Sequence, residues 1–132
     1  MKKATSLSVL TCLLAVLLLA GCGKQAEPIV LPAVNEIDSI IITTLDGSEV
    51  SYSDQEWIGS FLSVLAQAEA TAKESIQDIP DVEAYGKVDI SNNGGITTFF
   101  YYADGEKYCI EQPYQGIYET NVDIDVLVKG EE

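Results

Sequence analysis

Hydrophobic residues alternate with polar ones in several short runs of this chain, and in one longer run they recur every three or four positions. Apolar and β-branched residues dominate from residue 37 to residue 45, and Asp46-Gly47 separates this run from a second one at 49–52. Two such runs around an Asp-Gly pair are typical of a β-hairpin with a two-residue turn. That turn would pair Ile41 with Tyr52.

The longer run, from residue 53 to about residue 72, has helical periodicity. Ser53 followed by Glu56 fits a capping box, which favours a helix start at this point. At about 100° per residue the apolar side chains fall in one arc, so the helix should bury a single face in the core; the alternative is that this arc lines a binding groove. The apolar arc contains Trp57, Ile58, Phe61, Leu62, Val64, Leu65 and Ala68, and the opposite side contains Glu56, Ser60, Ser63 and Gln67.

Three more strands are predicted after a polar loop at 73–83. Their two connecting turns, Asn92-Asn93-Gly94-Gly95 and Asp104-Gly105, are both strong hairpin signals. If each turn closes at its tip, Val88 pairs with Phe99 and Phe99 pairs with Ile110. The strands should lie at about 84–91, 96–103 and 106–112.

These pairings divide the side chains of the three strands between the two faces of the sheet. The second face is mixed, because Phe100 and Tyr102 stand among charges. It is either an exposed binding platform or a face covered by the C-terminal segment 122–128. The first face, which should receive the helix, contains Val88, Ile90, Phe99, Tyr101, Tyr108 and Ile110.

The predicted fold is therefore an α+β domain. It has an antiparallel sheet of about five strands with one long amphipathic helix packed on one face, in the order β-β-α-β-β-β.

The N-terminal residues have the pattern of a lipoprotein leader. Lys2 and Lys3 precede an uncharged run at 7–19 that contains seven leucines. This is typical of a signal peptide, and it is too short for a spanning helix of roughly 20 residues. The run ends in Leu19-Ala20-Gly21-Cys22, which resembles the bacterial lipobox. We expect cleavage before Cys22 and two acyl chains on its thiol, which suffice for stable anchoring; the alternative is an ordinary signal peptide in which Cys22 is incidental.

The resulting organisation is a signal peptide at 1–21, a lipidated Cys22 with an extended linker at 22–36, and a single domain at 37–132. From Cys22 onward the chain has five lysines against twenty-one acidic residues, a formal charge of −16, and no arginine or histidine. Such a charge argues strongly against nucleic-acid binding, which depends on Lys and Arg contacts to phosphates. The simplest role of this charge is to keep the protein soluble and self-repelling at the cell surface. The more specific alternative is that the charge attracts a basic partner.

Candidate catalytic and metal-binding chemistry is sparse. Without histidine, an enzyme would need a pair of carboxylates, for example acting on wall polysaccharide. Asp78, Asp81 and Glu83 do not match the 12-residue calcium loop. We therefore predict no catalytic residue, no metal and no cofactor. Cys109 is the one cysteine left after lipidation of Cys22, so no intramolecular disulfide is expected. A buried strand cysteine behaves as a small hydrophobe, and the alternative is a thiol that is reactive or pairs between chains.

The segment after the last strand contains two tyrosines around a turn. Pro113 and Gly116 should end the strand near Gln112, because proline cannot donate to a ladder and glycine permits positive φ. The tyrosines then either seal the open end of the core or line a recognition surface, since tyrosine gives large contact area at low entropy cost. The candidate binding residues are Phe100, Tyr102, Glu111, Tyr114, Gln115 and Tyr118.

The stretch Tyr108-Cys109-Ile110-Glu111-Gln112-Pro113-Tyr114-Gln115-Gly116-Ile117-Tyr118 resembles a family of small lipoproteins of Gram-positive bacteria that is built on a domain of unknown function. The resemblance covers roughly residues 37–120 and implies a lipoprotein on the outer face of a Gram-positive membrane, without an established activity. Further residues that resemble the family pattern are Ser75, Asp78, Pro80, Tyr85, Lys87, Val88, Asp89 and Ile90.

We therefore expect a membrane-tethered, non-enzymatic module that binds a protein, a peptide or a cell-wall component. One alternative is a single-lobe receptor for a small ligand or peptide, which would require a deep apolar pocket. The other is a carboxylate-based hydrolase, which would require a cleft carboxylate with a raised pKa.

Overall fold

The computed structural model describes residues 26–130, so the predicted signal peptide and Cys22 lie outside the described residues. Within this range, seven strands form one antiparallel sheet, and two short helices accompany it. The predicted α+β class is confirmed, whereas the prediction of about five strands and one long helix is wrong. The strands are β1 (Ile37–Thr43), β2 (Glu49–Tyr52), β3 (Glu69–Ala70), β4 (Gly86–Asn92), β5 (Gly95–Asp104), β6 (Lys107–Gln112) and β7 (Gly116–Thr120), and the helices are α1 (Gln55–Ala66) and α2 (Ile124–Lys129).

The strands lie in the order β2-β1-β4-β5-β6-β7-β3. Strands β4 to β7 form a consecutive meander, and β1 pairs with β4 on one side of it. The two-residue strand β3, which follows α1, pairs with β7 through Ala70 and Tyr118. The chain therefore crosses one face of the sheet through α1 to reach its far edge, and it returns over the other face through the connection between β3 and β4.

The first hairpin differs from its predicted register by one residue. Tyr52 pairs with Ile40 and not with Ile41. The loop holds three residues, 45–47, between the closing pair, and its last residue, Gly47, has a φ of 87°. A third loop residue moves the pairing by one position, and a slip of one residue exchanges the two faces of a strand.

In the other two predicted hairpins the side chains lie on the predicted faces of the sheet. Val88 pairs with Phe99, as predicted. Ile110 pairs with Tyr101, although the predicted partner was Phe99, because the turn lies at Gly105-Glu106, one residue later than expected. A register change of two residues preserves the face of every side chain. The assignment of these strands to two faces therefore survives the wrong register.

Helix α1 is shorter than its predicted range at both ends. Asp54, not Ser53, is the N-cap, and its carboxylate accepts a hydrogen bond of 2.9 Å from the Trp57 amide. The helix ends at Ala66 instead of about residue 72, because residues 69–70 leave it to form β3. The single buried face is confirmed, and its fully buried members are Ile58, Phe61, Leu62 and Leu65.

The main core lies between the sheet and the two helices. Phe61 is 1% exposed and stacks on Trp57, which in turn stacks on Tyr52. Segment 122–128 contributes α2 to this face. The predicted alternative in which this segment covers the second face is therefore wrong. The sheet contributes Ile40, Ile42, Val88, Ile90, Phe99, Tyr101, Ile110 and Tyr118, and the helices contribute Ile58, Phe61, Leu62, Leu65, Ile124 and Val128.

The second face of the sheet is covered by the loop between β3 and β4. Tyr85 in this loop contacts the ring of Phe100 edge-on, with 5.4 Å between the ring centroids. Ser75 and Pro80 of the same loop are buried. This face is therefore a covered face and not an open platform.

Residues 26–31 pack against the core face of the sheet. The side-chain amide of Gln112 accepts a hydrogen bond from the Val30 amide and donates one to the Val30 carbonyl, both at 3.0 Å. Ala26, Ile29 and Leu31 contact the main core. The packed domain thus extends into the range 22–36 that the sequence predicts as an extended linker.

Helix α2 is attached to the sheet by a carboxylate. Asp125, which is 9% exposed, accepts hydrogen bonds from the Leu45 amide at 3.0 Å and the Tyr101 hydroxyl at 2.9 Å. Lys129 forms an ion pair of 3.0 Å with it. Burial raises the pKa of Asp125, but the Leu45 amide, Lys129 and the Tyr101 hydroxyl together hold that pKa below its usual value.

The position of Phe61 under the sheet predicts a large cost of truncation. Phe61→Ala should lower the free energy of unfolding by about 3–5 kcal/mol, because it empties a buried aromatic site. Gln67→Ala, on the exposed side of the chain just after α1, should change it little. Urea unfolding of both variants measures this difference, and equal effects would contradict the assigned helix face.

The lowered pKa of Asp125 predicts a dependence of stability on pH. A carboxyl with a depressed folded-state pKa stabilises the protein above its unfolded pKa of about 3.9, and this stabilisation is lost as the pH falls through the folded-state value. Asp125→Asn should therefore lower the urea midpoint at pH 7, and the difference from the parent protein should shrink between pH 5 and pH 2. A difference that is constant over this range would show that the charge of Asp125 does not matter.

Candidate functional site

The six residues that the sequence singles out for binding lie in three separate places. Phe100, Tyr102 and Glu111 are buried on the second face of the sheet, under the loop 71–85. Tyr118 is buried in the main core on the opposite face. Tyr114 and Gln115 lie in the turn between β6 and β7. The six residues therefore do not form one recognition surface in this structure.

Glu111 is the centre of a buried polar cluster. It is 1% exposed, and its carboxylate accepts hydrogen bonds from the Ser75 hydroxyl at 2.6 Å and the Tyr102 hydroxyl at 3.1 Å. Burial raises the pKa of Tyr102, and the negative charge of Glu111 raises it further. Tyr102 therefore stays protonated and acts as a donor. The cluster fixes the covering loop to β6, since Ser75 belongs to the loop and Glu111 to the strand.

Cys109 lies beside this cluster on the same face. It is 1% exposed and packs with Tyr102 and Ile117. Burial raises the pKa of the thiol, as does the nearby carboxylate of Asp104. A protonated, enclosed thiol is a poor nucleophile. The structure thus places Cys109 as a small apolar side chain.

Tyr118 closes the end of the main core. It is 1% exposed, and its hydroxyl donates a hydrogen bond to the Glu27 carbonyl. Gly116 precedes it by two residues and faces Ala26 so closely that a Cβ at position 116 would collide with the Ala26 side chain. Glycine is therefore needed here for a close approach, not for the positive φ expected from the sequence.

Tyr114 takes the left-handed backbone conformation of this turn instead. Its φ is 61°, and it is the one non-glycine residue with positive φ in the described part of the chain. The side chain is 67% exposed, and its hydroxyl donates a hydrogen bond of 2.6 Å to Asp78. This bond raises the pKa of the Tyr114 hydroxyl. The turn is closed by the Gln115 amide, which donates to the Gln112 carbonyl at 3.0 Å.

A cleft of about 350 Å³ opens beside Tyr114. Gln115 lies on its rim and donates a hydrogen bond of 3.3 Å to the Pro28 carbonyl. Ile76 in its wall is 72% exposed, which is unusual for a large apolar side chain. We name this site the Tyr114 cleft; its lining residues are Ala26, Glu27, Ala72, Lys73, Glu74, Ser75, Ile76, Tyr114 and Gln115.

Sequence reasoning missed a second concave surface, a groove of about 590 Å³ between α1 and α2. The apolar arc of α1 was recognised, and the core was preferred over a binding groove as its role. Part of the arc, with Trp57 and Val64 half-buried, lines the groove as well, although Trp57 also packs against the main core. We name this site the helix groove; its lining residues are Asp54, Glu56, Trp57, Ser60, Phe61, Val64, Val126, Leu127 and Gly130.

Two structural features bear on other kinds of function. Between residues 26 and 130, no three Cys, Asp or Glu side chains are grouped closely enough to hold a metal ion. The same part of the chain contains no helix with the length and apolar character to cross a membrane.

Comparison with known proteins identifies the family. The sequence profile of the family DUF5301, described as "Domain of unknown function (DUF5300)", matches residues 25–119. An NMR structure of a protein from Ruminococcus gnavus is similar at 45% sequence identity, with a TM-score of 0.65 over 72% of this chain and 93% of that one. A comparison with curated proteins gave no match. The expected membership of a family built on a domain of unknown function is thus confirmed in this coarser form, and the chain belongs to the DUF5301 family.

Proposed function

We propose that this protein is a lipoprotein on the outer face of the cell membrane whose domain binds a protein, a peptide or a cell-wall component without catalysing a reaction. The observation that carries the proposal is Tyr114, a large aromatic side chain held in solvent by a left-handed backbone beside an open cleft.

The left-handed backbone conformation of Tyr114 destabilises the fold, and burial of its side chain offsets little of this cost. A non-glycine residue in a sparsely populated backbone region costs about 1–3 kcal/mol. With 67% of its surface exposed, the ring recovers little of this through the hydrophobic effect. The hydrogen bond to Asp78 fixes the direction of the side chain instead. A rigid, exposed tyrosine is the kind of side chain that anchors protein interfaces, because little entropy is lost when it binds.

The lining of the Tyr114 cleft suits a polypeptide. Ile76 offers an exposed apolar contact, Gln115 offers an amide and Glu74 offers a carboxylate. The charge of Lys73, by contrast, is compensated by its ion pair with Asp104. Receptors for small ligands enclose most of their ligand in an apolar pocket with few polar groups. The open and mixed cleft thus supports recognition of an extended chain over capture of a small apolar molecule.

The buried carboxylate supports a non-enzymatic role over a hydrolase. A glycosidase needs two carboxyl groups on either side of an accessible bond. Glu111 is enclosed by the covering loop and is held by two hydroxyl donors. The geometry of Glu111 is that of a structural carboxylate.

The sequence distance from Cys22 to Ala26 constrains where the cleft lies relative to the membrane. Ala26 lines the Tyr114 cleft, and it is only four positions after Cys22 in the sequence. A chain extends at most about 3.6 Å per residue, so the cleft lies within roughly 14 Å of the proposed lipid anchor. The partner should therefore meet this surface close to the membrane.

The anchor is tested by Cys22→Ala. The substitution removes the thiol on which both proposed acyl chains depend, so the protein should leave the membrane fraction or remain unprocessed. Phase partitioning in a nonionic detergent measures this, with Cys109→Ala as the control for loss of a thiol. Retention of Cys22→Ala in the membrane fraction at its processed size would contradict the lipoprotein assignment.

The binding surface is tested by Tyr114→Asn. Asparagine tolerates the left-handed conformation better than tyrosine, so the urea midpoint should be unchanged or slightly higher. Capture of cross-linked envelope partners by the full chain should fall at least fivefold, because the exposed ring is lost. The matched control is Leu45→Asn, which changes a 45% exposed side chain in the β1–β2 loop, three strands away from β6.

Tyr118→Ala separates the two tyrosines of the motif. Because Tyr118 is buried in the core, this variant should lose about 3–5 kcal/mol of stability, whereas Tyr114→Asn should not. Undiminished capture by Tyr114→Asn, or equal loss in Leu45→Asn, would exclude the Tyr114 cleft as the binding surface.

A further inference from the structure

We propose that the helix groove is a second binding site, independent of the Tyr114 cleft, and that its ligand is a cationic amphipathic peptide. Apolar side chains of the peptide would lie on Trp57, Val64 and Val126, and its lysine or arginine side chains would pair with Asp54 and Glu56.

The floor of the groove is a row of apolar side chains at helical spacing. Trp57, Phe61 and Val64 are separated by four and three residues, so they lie on one side of α1. Phe61 at the bottom is 1% exposed, whereas Val126 on the α2 wall is 63% exposed. An exposed apolar wall above a buried aromatic floor can receive the apolar side of a peptide in the helix-in-groove manner.

The aromatic residues beneath the groove form a rigid stack. The rings of Tyr52 and Trp57 are parallel within 2°, with centroids 3.5 Å apart, and those of Trp57 and Phe61 are parallel within 12° at 5.0 Å. The indole is therefore fixed from within the domain. A fixed contact surface lowers the entropic cost of binding.

The charge around the groove selects a cationic ligand. Asp54 and Glu56 line it at the start of α1, and both are exposed. The nearest lysine in sequence, Lys129, is paired with both Asp46 and Asp125, so its charge is compensated.

The same charge argues against other occupants of the groove. A second copy of this chain would bring another formal charge of −14, or −16 after loss of the leader, against an acidic rim. An anionic membrane surface would be repelled in the same way.

The test uses the fluorescence of Trp57, which is the one tryptophan of the sequence and lines the groove. The full chain in a nonionic detergent is titrated with a synthetic peptide of leucines and lysines at helical spacing. A second peptide has glutamate at every lysine position. The first should change the Trp57 emission saturably, and the second should not.

Three variants locate the binding site. Val126→Gln removes the apolar wall, and Glu56→Lys reverses one rim charge; each should weaken binding of the leucine-lysine peptide at least fivefold without a large change in the urea midpoint. Glu83→Lys makes the same change of charge in the loop on the opposite face of the sheet and should weaken binding less than twofold. Added salt should weaken binding by the parent protein more than by Glu56→Lys.

Several results would overturn the proposal. Equal weakening by Glu83→Lys would show nonspecific attraction to an acidic protein. Equal binding of the leucine-glutamate peptide would remove the selectivity for cations. A Trp57 emission that changes with protein concentration in the absence of peptide would indicate that a second copy of the chain occupies the groove. Loss of peptide binding in Tyr114→Asn would place the peptide in the Tyr114 cleft and not in the helix groove.

Discussion

Strand β5 imposes the requirement that both faces of the sheet be covered. Its residues Phe99, Phe100, Tyr101 and Tyr102 are consecutive and all buried. Because neighbouring side chains of a strand point to opposite faces, two large rings project on each side. Helices α1 and α2 cover one pair. The loop 71–85, which has no regular structure, covers the other and is held by specific side-chain contacts, with Ser75 bonded to Glu111 and Tyr85 packed on Phe100.

The alternation of apolar and polar residues predicted correctly which face of the sheet each strand residue occupies. The prediction failed where the length of one loop determines the register of a hairpin. The faces of β4, β5 and β6 were predicted correctly because a register error of two preserves them. The first hairpin slipped by one, since an Asp-Gly pair fits both a two-residue turn and the end of a three-residue loop with Gly47 at positive φ. Helix α1 ended early because Ala70 pairs with Tyr118, a contact across the chain that no local pattern contains.

The tail motif shows why its two tyrosines were not distinguishable from sequence. Each is a tyrosine near a turn. The first interpretation, a seal of the core, applies to Tyr118, and the second, an exposed recognition residue, fits Tyr114. Tyr118 is the core seal because Ala26 and Glu27 return over Gly116 from the other end of the chain. Tyr114 is exposed because it, and not the glycine, adopts the left-handed conformation. The site residues of the helix groove were missed for a similar reason, since the groove exists only where α2 meets α1.

The acidity of the domain acts on recognition more than on folding. Each of the four lysines in the described part of the chain already forms an ion pair with a carboxylate, and exposed pairs of this kind contribute about 0–1 kcal/mol each. Among residues 26–130, the excess of acidic side chains therefore has no unpaired lysine to neutralise it. An uncompensated field of this sign accelerates the approach of cationic partners and slows that of anionic ones. Affinity at the Tyr114 cleft then rests mainly on the apolar contacts of Tyr114 and Ile76. In the helix groove the apolar contacts of Trp57 and Val126 act together with the rim charges of Asp54 and Glu56, so added salt should weaken binding there.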